Sequence, residues 1–533
     1  MEKNLKTIVV SASESSRMTT SFLLKDLGIS RPVFVEKLEE FKKAIEDSTL
    51  SFDLIVSDLS LAPSGGLPVS ALDILDAFRQ SSKNSLRTCF IILAEEAEYR
   101  KVADGIDGAV DDFLIKPFSC SEFSSRLQNV FERKKTFEPI FKLMDENALK
   151  EAAALSLKLF EEAPRYKVFS ARIATELLTA TGQHEKTAEV FNILLKEKAL
   201  PWTKLGIAKA ELESKNCKKA RRSLEVLVAE NPSYVDAYDI LGRSQIESLD
   251  FQEAFLTYKK ALELTPANIQ RVQKFASISA VVGRDQEALI PLDRAFNSSV
   301  KSDSLDLYCV FLLAYFSLKH DHGKALEKCE KHLRKKHQDF NQSVRISTLL
   351  KFVENLTHLR ANNFEKIAEF SDSFNEFVFK KDFDFETCCA ALLFIKQIRS
   401  YCFFKNYMPN WVKHCFMRFN VSKTALTFFE YICEGDLELA MLLKTSSSEL
   451  SGKCQKALSM ALEKQQKNAI KTLILLSEET LNTKVFNLAK SALDRYKGVL
   501  DHETVCELNS DVNHLQGLFS NLASGLKEEI FSI

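Results

Sequence analysis

No two cysteines in this chain stand at CxxC spacing, although it has twelve in 533 residues, and the one adjacent pair, Cys388-Cys389, is too close to bridge comfortably. With no leader-type apolar segment at the start, scattered cysteines of this kind are expected to be reduced thiols in a cytoplasm. No run of about 18 uncharged apolar residues occurs either, so no membrane span is expected. An excess of charge is missing too: 72 basic against 73 acidic residues give a formal charge of −1, with 18 and 21 of them up to residue 135. That balance excludes a global pull toward nucleic acid or an anionic membrane. Among the nine histidines, His320, His322, His332 and His337 lie among Lys and Glu, with no cysteine or acid at metal spacing. A solvated helix end is the expected reading there, and no metal. Catalytic patterns are lacking as well: no phosphate-binding glycine loop, no Ser-His-Asp context, no paired catalytic carboxylates, and no helix-turn-helix with a basic recognition helix. The expectation is therefore neither an enzyme nor a transcription factor. What is present, 45% hydrophobic and 27% charged residues, is a globular composition long enough for two to four domains.

The first 135 residues alternate between two periods. Apolar runs at Ile8–Val10, Val33–Val35, Leu54–Ser57, Cys89–Leu93 and Asp112–Ile115 read as buried strands. Each is followed by residues of helical spacing, as in Phe22–Leu27, Phe41–Ile45, Ala71–Phe78 and Phe123–Phe131. Five such units predict an α/β, doubly wound parallel sheet with helices on both faces, whose ligands gather at the carboxyl ends of the strands. At those ends stand Asp58, in "LIVSDLSLAPSGGL", and Lys116, in "GAVDDFLIKPF".

These residues and their spacing resemble the receiver domain of bacterial response regulators, a flavodoxin-like fold, over about residues 4 to 134. The resemblance implies that Asp58 is the phosphoacceptor, that Lys116 contacts the phosphate, and that the Lys116-Pro117 bond is cis. It also implies a Mg²⁺ site made by two adjacent acids after the first strand, where this chain has Ser11 and Ala12. The family's reporting hydroxyl at the fourth strand is replaced by Ala94, and the aromatic switch position is Phe113. A carboxylate attacking phosphorus approaches a centre already rich in negative charge and needs the metal as well as the lysine. Two readings follow. Either Asp58 and Lys116 are a retained ion pair in a pseudoreceiver that needs no cofactor, or Glu14, Glu95 or Glu96 substitutes as a ligand, keeping Mg²⁺ and slow phosphorylation.

From residue 136 the spacing is helical throughout. "KTAEVFNILL", "KKARRSLEVLV", "QEAFLTYKKAL" and "QEALIPLDRAF" align on Thr187, Ala220, Ala254 and Ala288, at steps of 33, 34 and 34. One unit, with Tyr238, Leu241 and Gly242 on its first helix, Ala254, Tyr258 and Ala261 on its second, and Pro266 ending it, resembles the tetratricopeptide repeat. The expected organisation is a receiver-like domain over 1–135, an all-α repeat solenoid over 136–337, and a helical, repeat-like region over 338–533, in which "KTSSSELSGK" (444–453) reads as a loop.

By the resemblance, the concave groove would present Arg172, Glu176, Lys209, Glu213, Asp236, Asp239, Arg243 and Glu247 to a protein or peptide. An ordinary solvated face is the competing reading. The expected function is a non-enzymatic cytoplasmic adaptor in a two-component phosphorelay, similar to the VieB-type auxiliary components. It would dock on a histidine kinase or phosphotransfer protein through the receiver and hold a second protein through the repeats, with no nucleic acid or membrane partner. The alternatives are a phosphorylation-controlled response regulator whose output is the repeat array, and a structural scaffold.

Overall fold

The computed structural model of the chain describes residues 5–29, 31–46, 52–61, 69–81, 87–95, 110–197, 200–214, 216–299, 305–340, 343–370, 380, 383–398 and 408–526. Five strands form one parallel sheet: β1 (Thr7–Val10), β2 (Val33–Val35), β3 (Leu54–Asp58), β4 (Cys89–Glu95) and β5 (Asp112–Lys116), in the order β2-β1-β3-β4-β5. This is the doubly wound order expected from the alternating periods. Strand alternation distributes the core. Ile8, Val10, Ile55, Phe90, Ile92 and Ala94 face one layer with Phe41, Ile74 and Phe78. Val9, Leu54, Val56, Ile91 and Leu93 face the other with Leu23, Leu24, Phe123 and Leu127. Burial of both faces explains why the strands are continuous apolar runs.

Among the described residues, the helices of this domain are α1 (Glu14–Asp26), α2 (Leu38–Glu46), α3 (Ala71–Ser81) and α4 (Cys120–Asp145). Ser13 caps α1 by accepting from the Ser16 amide at 3.3 Å, and Ser119 caps α4 by accepting from the Glu122 amide at 3.1 Å. A two-stranded antiparallel ribbon, Ser60–Leu61 with Val69–Ser70, follows β3. The Lys116-Pro117 bond is cis, as expected.

Helix α4 belongs to two cores. Phe123, Leu127 and Val130 pack under the sheet, whereas Phe137, Ile140 and Phe141 pack with Ala152, Ala153 and Phe160 of the next helix, Leu149–Glu162. Residue 135 lies inside it. Asp111, just before β5, fixes its middle by accepting from Arg133 at 2.8 Å and Lys134 at 2.9 Å, and from the Phe90 amide at 3.0 Å. The Arg133 guanidinium lies over the Phe169 ring, 4.7 Å from its centroid, and Phe169 meets Phe137 edge-on at 4.7 Å.

Everything beyond α4 that the structure describes is helical. The helices His184–Glu197, Cys217–Glu230, Phe251–Leu264 and Asp285–Ser299 carry the aligned residues Thr187, Ala220, Ala254 and Ala288, all buried. A small residue there lets the paired helices approach. Gly242 does the same on Val235–Glu247, since a Cβ at that position would lie 2.6 Å from the Tyr258 ring.

The chain forms two compact units, 1–271 and 272–533. In the second, the helix Leu307–Lys319 is buried from Tyr308 to Ser317, and Phe311, Phe352, Phe370 and Phe394 stack and edge against one another around it. Arg345 holds Asp306 at 2.9 Å and Asp384 at 3.1 Å, and also pairs with Glu386. One sequence expectation is corrected: residues 444–453 are no loop but the middle of a 26-residue helix, Leu437–Leu462. The hydroxyls of Thr445 and Ser446 donate back to the Met441 and Leu442 carbonyls at 3.0 and 2.6 Å, and Ser446 and Leu450 are buried at core spacing. Serine and threonine are satisfied there without breaking the helix.

Candidate functional site

Asp58 ends β3 at the carboxyl edge of the sheet, in register with Leu93 of β4, and its neighbour Ser57 is paired with Val10 of β1. Ser11 follows β1 directly and is placed by its amide, which donates to the Val35 carbonyl at 3.0 Å. Lys116 ends β5 beside Glu95. The buried Asp58 carboxylate accepts from three donors: the Ser11 hydroxyl through a short contact to Oδ2, the Ser16 hydroxyl to Oδ1 at 2.9 Å, and the Lys116 ammonium to Oδ1 at 2.7 Å. Lys116 also donates to Ser16 Oγ at 3.0 Å, so ammonium, hydroxyl and carboxylate close a small ring. Arg17 tightens the neighbouring loop, donating to the Ser11 carbonyl at 2.9 Å and pairing with Glu36 at 2.9 Å.

The structure therefore brings together Ser11, Asp58 and Lys116 of the sequence-derived set and adds Ser16, which the strand-end logic did not reach because it sits on the first turn of α1. Ala12 is partly buried against the apolar cluster that contains Ala94, and Phe113 packs on the same cluster, in register with Ile92. A Mg²⁺ ion does not fit the residues present. A hard divalent cation seeks several anionic or carbonyl oxygens. Among the described residues the one carboxylate at the site, Asp58, has both oxygens engaged, Ser11 points its proton at one of them, and Ala12 brings no side-chain oxygen. Glu14 and Glu95 are exposed and not among the hydrogen-bond partners of Asp58 in the described residues. Glu96 lies outside the described residues.

The groove set also gathers. Arg172, Glu176, Lys209, Glu213, Asp236 and Arg243 line a cleft of about 830 Å³ with Phe191, Trp202 and, from the receiver-like domain, Arg79 of α3. Asp239 and Glu247 lie off this lining but belong to its charge pairing. Arg243 holds Glu213 at 2.9 Å and Glu247 at 3.0 Å; Arg271 holds Asp236 at 3.0 Å and Asp239 at 2.9 Å; Arg172 lies 3.6 Å from Glu176. Arg271 and Arg79 were not among the sequence candidates. Arg79 had no signal, since its place at the cleft comes from folding the two domains together. Ala267, in the turn after the Phe251–Leu264 helix, packs on the α2–α3 face of the receiver-like core. Burial pushes the Cys89 thiol of β4 up to about 12, which keeps it protonated.

Residues of this chain are similar to known receivers. The response regulator ArlR of Staphylococcus epidermidis is 31% identical over 111 residues, which are 20% of this chain and 47% of that protein. The chemotaxis protein CheY-3 of Vibrio cholerae is 24% identical over 137 residues, 25% of this chain and 96% of that protein. The chain thus spans between about a third and a half of the length of the ArlR relatives it matches. No protein-family model matches the chain. Among solved structures, a response regulator receiver domain protein from Clostridium thermocellum aligns at 20% identity and a TM-score of 0.22, over 25% of this chain and 98% of that one. A human IFIT1 dimer with m7Gppp-AAAA aligns at 15% identity and a TM-score of 0.23, over 72% and 95%. The N-terminal domain is receiver-like, and a long all-helical region follows it.

Proposed function

We propose that this chain is a non-enzymatic signalling adaptor of a two-component phosphorelay, of the VieB type, in which a pseudoreceiver docks on a histidine kinase or phosphotransfer protein and the helical repeats hold a second protein. The observation that carries this reading is the state of Asp58. Its two oxygens already accept from Ser11, Ser16 and Lys116, so the positive charge and donors that a phosphoryl group would use are spent within the site, with no second carboxylate beside Asp58 among the described residues to recruit a metal. Docking is supported by α1, which opens beside the site and exposes Met18 and Phe22, one helical turn apart. The setting is the cytoplasm, and the cleft around Arg172 and Arg243 is the place for the second protein.

A second reading, the structural scaffold, is favoured by the placement of Arg79 on the cleft and of Ala267 on the receiver-like core, which makes the receiver a cover for the repeats. The deciding measurement is phosphoryl uptake. With Mg²⁺ and acetyl phosphate, or beryllofluoride, the native chain should show no stoichiometric modification at Asp58 by intact mass. The pair Ser11→Asp and Ala12→Asp should raise Mg²⁺ affinity at least tenfold. Rapid stoichiometric uptake by the native chain would return the protein to the class of phosphorylation-controlled regulators, with the repeats as output.

A further inference from the structure

The helix Leu437–Leu462 carries two stripes. One is buried: Leu439, Leu443, Ser446, Leu450, Ala457 and Ala461 face the helices packed against it. The other, rotated by two residues and hence about 200° away, is exposed along its whole length. It runs Leu437, Met441, Lys444, Ser448, Ser451, Gln455, Leu458, Leu462, in alternate steps of four and three. Leu437 is 90% exposed, Met441 69%, Leu458 39% and Leu462 78%. Steps of four and three are the seam spacing of a coiled coil, here about 39 Å long.

The order of residues along this seam is symmetric about its centre. Leu437 mirrors Leu462, Met441 mirrors Leu458, Lys444 mirrors Gln455, and Ser448 mirrors Ser451. A seam of this kind is complementary to itself when turned end for end: each apolar residue then meets an apolar residue, and serine meets serine at the crossing. Shifting the register by one heptad sets Leu437 against Gln455 and Met441 against Ser451, so apolar pairing selects a single alignment. The polar positions agree with it. Glu449 is already paired within the chain, with Lys413 at 2.7 Å and Lys453 at 3.2 Å, so the charge that lies on the seam itself is Lys444. Antiparallel pairing sets Lys444 against Gln455 and opposes the helix dipoles; parallel pairing in register sets Lys444 against Lys444 and aligns the dipoles. The flanking positions Ala440, Ser447, Gly452 and Ser459 are small, and the space beside Gly452 is open, so two backbones can come close.

We infer that this seam is a homodimer contact, in which a second copy of the chain lies antiparallel across it about a two-fold axis between Ser448 and Ser451. The partner is fixed by the mirror symmetry of the seam, which an isologous interface requires of both its halves at once. One helix on each side is a small interface, so dissociation in the micromolar range is expected.

The test is sedimentation velocity of the full chain from roughly 1 to 100 μM. The native protein should pass from monomer to dimer in that range. Met441→Glu alone and Leu458→Lys alone should each weaken the dimer at least tenfold, because each homodimer then sets two unpaired charges against apolar residues, while Leu475→Lys, an exposed leucine on the helix Gln466–Thr480, should not. Mixing the Met441→Glu and Leu458→Lys chains should restore a dimer, since the antiparallel alignment opposes 441 to 458 and pairs the new charges once while leaving the other pair native. Circular dichroism of each variant controls for folding. A native chain that stays monomeric throughout, a dimer insensitive to both variants, or a mixture that does not recover would each overturn the inference.

Discussion

His414, partly buried on the helix Met408–Phe419, shows how one side chain can set a pH limit. Burial, with the Arg418 guanidinium nearby, lowers its pKa from the ordinary 6.5 to about 4. The folded chain therefore keeps this imidazole neutral where the unfolded chain protonates it. Stability linked to His414 is complete above pH 6.5 and is lost as the pH falls toward 4, by about 3 kcal/mol at most. Urea midpoints of the chain should fall across that window, and His414→Gln should flatten the fall; an unchanged slope would assign the loss to other groups. At the same scale, Asp58 and Lys116 were legible because a polar residue closing an apolar strand has one place to go in a parallel sheet. Ser16 was not, since only the turn of α1 over the strand ends brings its hydroxyl to Oδ1.

At the scale of elements, strands and repeats were legible: the strands as short continuous apolar runs in β1, β3 and β4, buried on both faces, and the repeats from the buried small residues at Thr187, Ala220, Ala254 and Ala288. The helix Leu437–Leu462 was hidden at its middle because serine, threonine and glycine suggest a loop by composition, while the buried spacing through Ser446 and Leu450 depends on a hydroxyl that back-bonds within the helix. Ser448→Pro separates the two descriptions. In a loop it would be nearly neutral; inside this helix it should cost about 3 kcal/mol or more and lower the thermal midpoint. A midpoint within a degree or so of the native chain would reinstate the loop.

Across the whole molecule, composition located the change from α/β to all-α, but a boundary at residue 135 falls inside α4. Amphipathic period continues unbroken through Val130 and Phe137, so nothing in the sequence marks where one core stops and the next begins. The distinction can be measured with two truncations. A fragment from Cys120 keeps Phe137, Ile140 and Phe141 in the first repeat and should melt cooperatively with full helicity per residue. One from Glu146 removes three buried side chains worth about 1.5 to 3 kcal/mol each and should lose protection in the Leu149–Glu162 and Lys167–Ala180 helices by hydrogen exchange. Equal protection in both fragments would show that α4 contributes nothing to the repeats.

Because α4 serves two cores without a joint, its length is also an angular quantity. Each residue added between Val130 and Phe137 would turn everything beyond it by about 100° and advance it by about 1.5 Å. Arg133 and Lys134 would then leave Asp111, or Phe169 would leave Arg133. Insertions and deletions in that stretch are constrained by helical phase: a change of seven residues nearly restores the facing, while a change of one or two does not.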